Sequence, residues 1–544
     1  MSSRRSEVTA GRRPTRVWLR SQSRRINAGL FCFVPLLLQV TLALGIRGAS
    51  NAPAQASDTA QEHADKGLQL ARAGDLKSAE VELRRAVDLA PDNPDYLADL
   101  GGVLGMQQKL AEAGAYFEKA LRIDPGNLTV RRDLATNQWQ MGRLHEAKAN
   151  LERIQKSKPG DPPTILLLGM VTENLGDYAK AAAWLGSVPD LVKQRPESIA
   201  ALARSYYQIG QKERAKETLV HLLNPPASPQ GVFLGGQIAS QAGDDETALS
   251  LFESIRPTYP DQERLNYNRA LAWYRGNHFA EAENLLQDLI SAGPPTSQAY
   301  SLLAWSYYKQ GKIKETVRAM DMAIDLDPAK ESNYLDLGKM LTDRRALAVA
   351  RAVATQAVEK IPNSFRAYMM KGFVEAKQGD FAQAVASYRR AAELKPDSPE
   401  ANFKLARMQW VAGMDKEAEA TFEQGLQRFP QDALTYQEYA LMLLKRAESG
   451  DKAAEARAVS LLMRAITLDK SLSEPHYQLG KLWLDKGKTT EALQELQTAA
   501  KLNPEEAKTH FALSRAYRHQ GHSDQAETER ALFESLNAEA REFK

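Results

Sequence analysis

Few side chains in this 544-residue sequence stand at spacings that could do chemistry. His519-Gln-Gly-His522 is the one close pair among eight histidines, two of the four ligands that a zinc ion asks for. The single cysteine, Cys32, cannot complete such a site, and one copy excludes an intrachain disulfide, an iron–sulfur cluster and a cysteine-paired zinc centre. The histidine pair therefore reads as a solvated or helix-capping feature. Carboxylates adjoin at Asp244-Asp245 and Glu505-Glu506, residue types that could serve as general acid and base. Both pairs fall at turns and helix starts, where the helix dipole favours acids, and no pocket is implied for them. Gly101, Gly102 and Gly105 have the look of a dinucleotide loop, yet no strand precedes them. A phosphate-cradling Gly-x-x-x-x-Gly-Lys loop, a His-Glu-x-x-His pair, an acidic calcium loop and a Gly-x-Ser-x-Gly elbow are all missing. The sequence predicts no catalysis, no cofactor and no metal.

Charge is unevenly distributed. Nine arginines and two acids fall within residues 1–59, leaving 62 of the 71 basic and 66 of the 68 acidic residues for the remainder. A mildly acidic remainder gives no electrostatic reason to expect nucleic acid as a partner. Within the basic front, region 1–27 is followed by an uncharged run, 28–46 (AGLFCFVPLLLQVTLALGI), long enough to reach across a bilayer as a helix. This order of charge and then apolarity predicts a signal peptide or a single-pass anchor, with Cys32 as a small hydrophobe inside it. Small residues at Ala52, Ala54 and Ala56 suit a signal peptidase, and residues 47–59 read as a linker. Everything beyond the run is then expected on the extracytoplasmic, periplasmic side, in the cell envelope.

From residue 60 the sequence repeats itself every 34 residues. Pro91, Pro125 and Pro159 are one period apart, as are Pro260, Pro294, Pro328, Pro362, Pro396 and Pro430. Repeats beginning at 60, 94, 128, 162, 196, 229, 263, 297, 331, 365, 399, 433, 473 and 507 have a small eighth residue, such as Gly67, Gly101, Ala135, Gly338 and Gly480. Their twentieth residue is Ala in all but one, where Thr316 stands. Large apolar residues recur at the twenty-fourth position (Leu83, Phe117, Phe252, Met320, Tyr388, Phe422, Leu496), and glycine at the fifteenth (Gly74, Gly142, Gly311, Gly413). Helical spacing of the apolar residues, a glycine between two runs and a proline after the second predict two antiparallel helices per repeat. Small residues then stand where the helices approach most closely.

This pattern resembles the tetratricopeptide-repeat family over residues 60–540. The resemblance implies an all-α, right-handed α-solenoid of about fourteen two-helix repeats, non-catalytic and binding other proteins. Repeats in 162–228 are degenerate: Pro189 interrupts a second helix, which is expected to be short. Six extra residues near 445–454 are expected in a lengthened turn, with a binding loop as the alternative. In this family the first helix of each repeat lines the concave face, mainly through positions 2, 5, 9 and 12. Those columns hold Arg204, Tyr207, Phe233, Tyr267, Tyr274, Trp305, Tyr308, Lys339, Arg366, Phe373, Phe403, Arg407, Trp410, Tyr477, Lys481, Phe511, Arg515 and Arg518. In the first four repeats the columns are small (Ala64, Ala98, Gly102, Gly105), apart from Arg132 and Trp139. Alternating aromatic and cationic side chains are what a surface uses to hold a protein segment. The Lys/Asn arrangement by which some relatives clamp a terminal carboxylate is matched by no three consecutive repeats.

The expected function is thus an exported or membrane-anchored scaffold with no cofactor. It takes other proteins in its groove and, where 28–46 is retained, the membrane through that run. An alternative is an accessory subunit of polysaccharide export or secretion machinery, its Tyr and Trp rings stacking on the polymer. Cleavage of the signal would remove about five or six kilodaltons from the chain. Mass spectrometry of the membrane and soluble fractions checks this, because an intact N-terminus confined to the membrane fraction establishes an anchor instead.

Overall fold

The computed structural model describes residues 59–542 apart from 225–227, and among these every regular element is a helix. Regions 1–27 and 28–46 and linker residues 47–58 lie outside the described residues. Among the described residues no helix is long and apolar enough to cross a membrane. The described residues divide into two compact bodies, the first ending at Gly293 and the second beginning at Pro294. In the first, helix pairs run from Ala60–Arg72 with Leu76–Leu89 to Gln262–Arg275 with Phe279–Ala292. In the second they run from Ser297–Lys309 with Ile313–Leu326 to Ala507–His519 with the long final helix Ser523–Glu542.

Local chemistry dictates where these helices begin. Thr59, Asn127, Asp161, Ser364 and Ser398 each cap a first helix by accepting from a backbone N–H in its opening turn. Thr59 and Glu62 complete a reciprocal box, Glu62 accepting from the Thr59 N–H at 2.9 Å. The hairpin turn is fixed just as tightly. Its fifteenth residue takes a left-handed conformation, as in Gly74 (φ 86°) and Gly311 (φ 77°), and the next N–H returns to a carbonyl five residues back, as from Asp75 to Leu70 at 3.0 Å. Three repeats lack glycine there. Gln108 (φ 62°), Asn277 (φ 65°) and Arg345 (φ 58°) occupy the position, so the turn imposes its backbone whatever the side chain.

Between the two helices of a repeat the packing follows size. Leu83 lies over Gly67, Phe117 over Gly101 and Leu496 over Gly480, and a Cβ added at those glycines would come within 2.7, 2.9 and 2.6 Å of the facing side chain. The twentieth-position alanines Ala79, Ala113, Ala282, Ala384 and Ala492 are completely buried, and Thr316 nearly so. Gly101 thus sits inside Pro94–Met106 as a packing glycine, and Gly105 shares that helix. Burial of Leu83, Phe252 or Phe422 contributes about 1.5–3 kcal/mol each.

Polar ties then join consecutive repeats. Lys109 bonds Glu80 at 2.7 Å and Arg351 bonds Asp380 at 3.0 Å, each across roughly one period. Lys109, with help from Arg84, holds the Glu80 carboxyl down at about 2. Exposed pairs of this kind contribute about 0–1 kcal/mol, so they fix register more than stability. Three histidines make a further tie that the sequence did not suggest. His63 meets Glu82, His476 meets Glu495 and His510 meets Glu529, each at 2.6 Å and from the fourth to the twenty-third position of one repeat.

Two departures from the period have visible causes. The second helix of the fourth repeat ends at Gly186, and Pro189 opens a separate short helix, Pro189–Lys193. Near 445–454 the helices themselves grow: Ala433–Ala447 has 15 residues and Lys452–Leu468 has 17, against 13 and 14 in the preceding repeat. The turn between them is only residues 448–451, so the insertion lengthens the hairpin and barely enlarges its loop.

Arg345 is exposed, and its left-handed backbone costs about 1–2 kcal/mol that glycine would not. Arg345→Gly is expected to stabilise the second body by up to about 1 kcal/mol. Gly311→Val is expected to destabilise it by at least as much. Paired thermal melts read both signs.

Candidate functional site

In the second body the first helices Glu331–Asp343, Phe365–Gln378 and Pro399–Val411 stand side by side in three consecutive repeats. Their shared face carries a hollow of about 520 Å³ lined by residues including Leu335, Gly338, Lys339, Phe365, Arg366, Met369, Met370, Phe373 and Lys404. A second hollow of about 470 Å³ adjoins it, lined by residues including Phe373, Lys377, Tyr388, Lys404, Arg407, Met408 and Val411. The first exists because one repeat breaks the packing rule. Its eighth residue is Gly338 and its twenty-fourth is Ala354, so no large side chain covers the glycine. Met370 of the next repeat reaches over instead, its sulfur lying where a Cβ on Gly338 would have to go.

Lys339, Phe373 and Arg407, three of the residues expected to line a groove, are thus brought together at these hollows. Lys339 bonds Asp343 at 2.6 Å, and Tyr308 donates to the same carboxylate at 3.3 Å. Trp305 stands edge-on to Tyr308 with ring centroids 5.7 Å apart, and its Nε1 donates to Asp336 at 3.3 Å. Burial and then the Asp343 charge push the Tyr308 hydroxyl above its usual range. Trp305 and Phe403 are each only 8% exposed and belong to the interior of the stack. Trp410 packs half-buried against the cluster that includes Phe403. Phe373, by contrast, is 41% exposed, with the Lys377 ammonium 5.6 Å from its ring centroid. Arg407 is half exposed, 3.8 Å from Glu438, whose carboxyl burial pushes up against the pull of that guanidinium.

Farther along the body the expected residues do not share these hollows. Tyr477 lies beneath the Lys508 ammonium at 4.8 Å, Lys481 is exposed, Arg515 is 3.6 Å from Asp485, and Arg518 is exposed. Phe511 is 48% exposed and its ring lies tilted against Phe533 of the final helix, with centroids 5.1 Å apart.

In the first body Arg204 and Tyr207 are engaged in ties between repeats. Arg204 pairs with the buried Glu173, and Tyr207 donates to Asp244 at 2.8 Å. Burial and the Asp244 carboxylate push the Tyr207 hydroxyl up. Tyr267 is half-buried, and Tyr274 packs against Phe279 at 5.5 Å. Arg275, the residue after Tyr274, donates to the Ser240 carbonyl and hydroxyl at 2.9 Å each. Arg132 donates to Asp161 at 2.9 Å and Trp139 to Asn174 at 2.9 Å. Asp245 lies among these groups; burial raises its carboxyl from 3.8 to about 6, against the pull of Arg275. Asp244 is buried at the start of helix Asp245–Ser254 and accepts from Thr247 at 3.0 Å besides Tyr207. The acidic pair is therefore part of a structural network. Among the described residues no group of three or more His, Cys, Asp or Glu side chains could hold a metal ion.

Sequence columns missed Met369, Met370, Asp343 and Lys404, which line the hollows beside the expected residues. The signal available for them was Ala354, a small residue in a column that elsewhere is large.

Two family models described as tetratricopeptide repeat match the chain, one over residues 106–170 and 375–442, the other over 65–127, 267–331, 335–399 and 477–534. Cellulose synthase 2 operon protein C of Komagataeibacter xylinus is 25% identical over 501 residues, which cover 83% of this chain and 37% of that protein. Protein O-mannosyl-transferase TMTC1 of Homo sapiens is 26% identical over 211 residues, covering 38% of this chain and 24% of that protein. The chain thus spans well under half the length of these curated relatives. The solved structure of yeast Tom70 aligns with a TM-score of 0.38 and 16% identity, covering 89% of this chain and 96% of that one.

The raised carboxyl of Asp245 has a definite sign. Between about pH 4 and 6 the folded chain keeps a proton that the unfolded chain releases, so this group's contribution to stability falls as pH rises and is level above that window. Asp245→Asn is expected to remove the loss, stabilising the first body by roughly 1 kcal/mol at pH 7 and by little at pH 4. Thermal melts of both proteins across that range check it.

Proposed function

The chain belongs to the tetratricopeptide-repeat family, and from that premise we propose that it is a non-catalytic scaffold whose first-helix face holds segments of partner proteins. The observation that carries this reading is the pair of adjoining hollows around Phe373. There an apolar floor of Phe365, Met369, Met370 and Met408 is rimmed by Lys339, Arg366, Lys377, Lys404 and Arg407. Apolar area at the centre with charged groups at the rim is the anatomy of a protein-binding patch. The apolar run 28–46 supports export to, or anchoring in, the cell envelope. Lys481, Arg515 and Arg518, which are exposed, extend the proposed binding face along the second body as secondary contacts, whereas Arg204 and Tyr207 are held in ties between repeats.

Similarity to cellulose synthase operon protein C favours a second reading, an accessory subunit of polysaccharide export or secretion machinery that touches the polymer itself. Salt separates the two readings. A grip that depends on the cationic rim weakens as salt rises, whereas ring stacking on a neutral sugar hardly changes. Phe373 is open on the face while Trp305 is buried, which favours a protein partner over sugar stacking. The transferase activity in the name of the O-mannosyl-transferase relative is said of that protein, of which this chain matches 24%.

Phe373→Ser/Arg407→Ala alters two exposed side chains and is expected to leave the fold intact. Crosslinking in cells followed by affinity capture should lose, in the folded double variant, partners that the native chain retains. Identical captures from both chains would place the binding surface elsewhere.

A further inference from the structure

We propose that the two adjoining hollows of the second body form a subsite for an acidic segment of a partner protein, seating one bulky apolar side chain at the Gly338–Met370 gap and carboxylates against Lys377, Lys404 and Arg407. This rests on the reading of the first-helix face as the partner-binding face and adds the chemistry of the partner.

The apolar seat follows from Gly338 and Ala354. In the repeats that begin at 94, 229 and 473 a Phe or Leu covers the eighth-position glycine. Here a methionine from the next repeat covers it, and a thioether on three rotatable bonds can swing aside for an incoming side chain where a ring locked in its own repeat cannot. Met369 and Phe373 continue the apolar floor toward the second hollow.

The acidity of the occupant follows from charge. Five cations line the hollows (Lys339, Arg366, Lys377, Lys404 and Arg407) against two lining carboxylates, Asp343 and Glu400; Lys339 is held by Asp343 at 2.6 Å and Arg366 by Glu331 at 3.1 Å, which leaves Lys377, Lys404 and Arg407 to meet an incoming carboxylate. Lys404 and Glu400 are neighbours on one helix at 2.8 Å, and both are partly exposed. Such a partly exposed pair is weak and yields readily to a competing carboxylate. Glu438, the carboxylate nearest Arg407, stands beyond hydrogen-bond distance at 3.8 Å, and its own carboxyl is held up by burial. A guanidinium so placed presents its fork to an added carboxylate.

The occupant must also be long. The hollows share Phe373 and Lys404 in their walls and together draw on three consecutive repeats, so a chain lying along the stack fills both where a single small molecule fills one. An apolar anchor flanked by acids describes one face of an amphipathic peptide.

The test uses the full chain and fluorescein-labelled 16-residue peptides built from a Glu-Leu-Glu-Phe repeat, with Lys in place of Glu as the control. Fluorescence anisotropy is expected to show binding of the acidic peptide, weakened by salt, and little binding of the basic one. Lys404→Glu/Arg407→Glu should weaken the acidic peptide by about tenfold or more and favour the basic peptide. Phe373→Ser should weaken it several-fold while leaving the melting curve unchanged, because the ring is 41% exposed. Equal binding of the two peptides, or no loss in the charge-reversed protein, overturns the inference. Cellular partners lost on Phe373→Ser/Arg407→Ala, together with an unbound acidic peptide, would overturn the acidic specificity alone. Partners unaffected by that variant would overturn the face itself.

Discussion

The close approach of two helices across the eighth, twentieth and twenty-fourth positions of each repeat is the constraint on which the rest of the structure hangs. Gly67 under Leu83 and Gly101 under Phe117 let two backbones come near enough for one large side chain to fill the gap. Alanine at the twentieth position, completely buried at Ala79, Ala113 and Ala384, holds that spacing where a larger residue would wedge the helices apart. The left-handed turn residue does the complementary job at the hairpin tip. It persists at Gln108 and Arg345, where the side chain works against it, as well as at Asn277, a residue type that tolerates it, so packing of the two helices overrides the local backbone preference.

The proposed binding site lies where the packing rule is relaxed. A repeat whose covering residue is Ala354 leaves Gly338 open, and Met370 borrowed from the next repeat closes the gap only by reaching across. The hollow that results lies on the face formed by first helices, beside side chains that the repeat period already sets in a row. Lys339, Phe373 and Arg407 occupy the ninth position of three successive repeats. In the proposed reading, a residue type that would be harmless anywhere on a surface becomes a binding element because the period stacks it next to its equivalents.

Polar side chains divide between holding the stack and facing outward, and the division is electrostatic. Tyr207 with Asp244, Arg275 with Ser240, and Trp139 with Asn174 spend their hydrogen-bonding capacity on neighbouring repeats. Groups so engaged present less to a ligand, because breaking such a tie strands a buried donor or acceptor. Phe373 and Arg407 have no comparable commitment: the ring is open, and the guanidinium sits beyond hydrogen-bond distance of its nearest carboxylate.

The sequence by itself determined the architecture. A 34-residue recurrence of small residues, turn glycines and stopping prolines admits one solution, two antiparallel helices stacked on the next two, since no other arrangement buries those columns together. The short helix ending at Gly186 was legible too, because Pro189 cannot continue it. Only the tertiary structure decided which members of a column face outward. Trp305 and Phe403 share the ninth and fifth positions with exposed residues in other repeats, yet both are buried, because burial depends on the volume of neighbours one repeat away. The histidine–glutamate ties stayed hidden because their partners are nineteen residues apart on different helices, a separation that matches no helical period. The lengthened hairpin at 433–468 shows the same limit: six inserted residues can enlarge a loop or extend two helices, and what selects the helices is the packing of both against each other along their added turns.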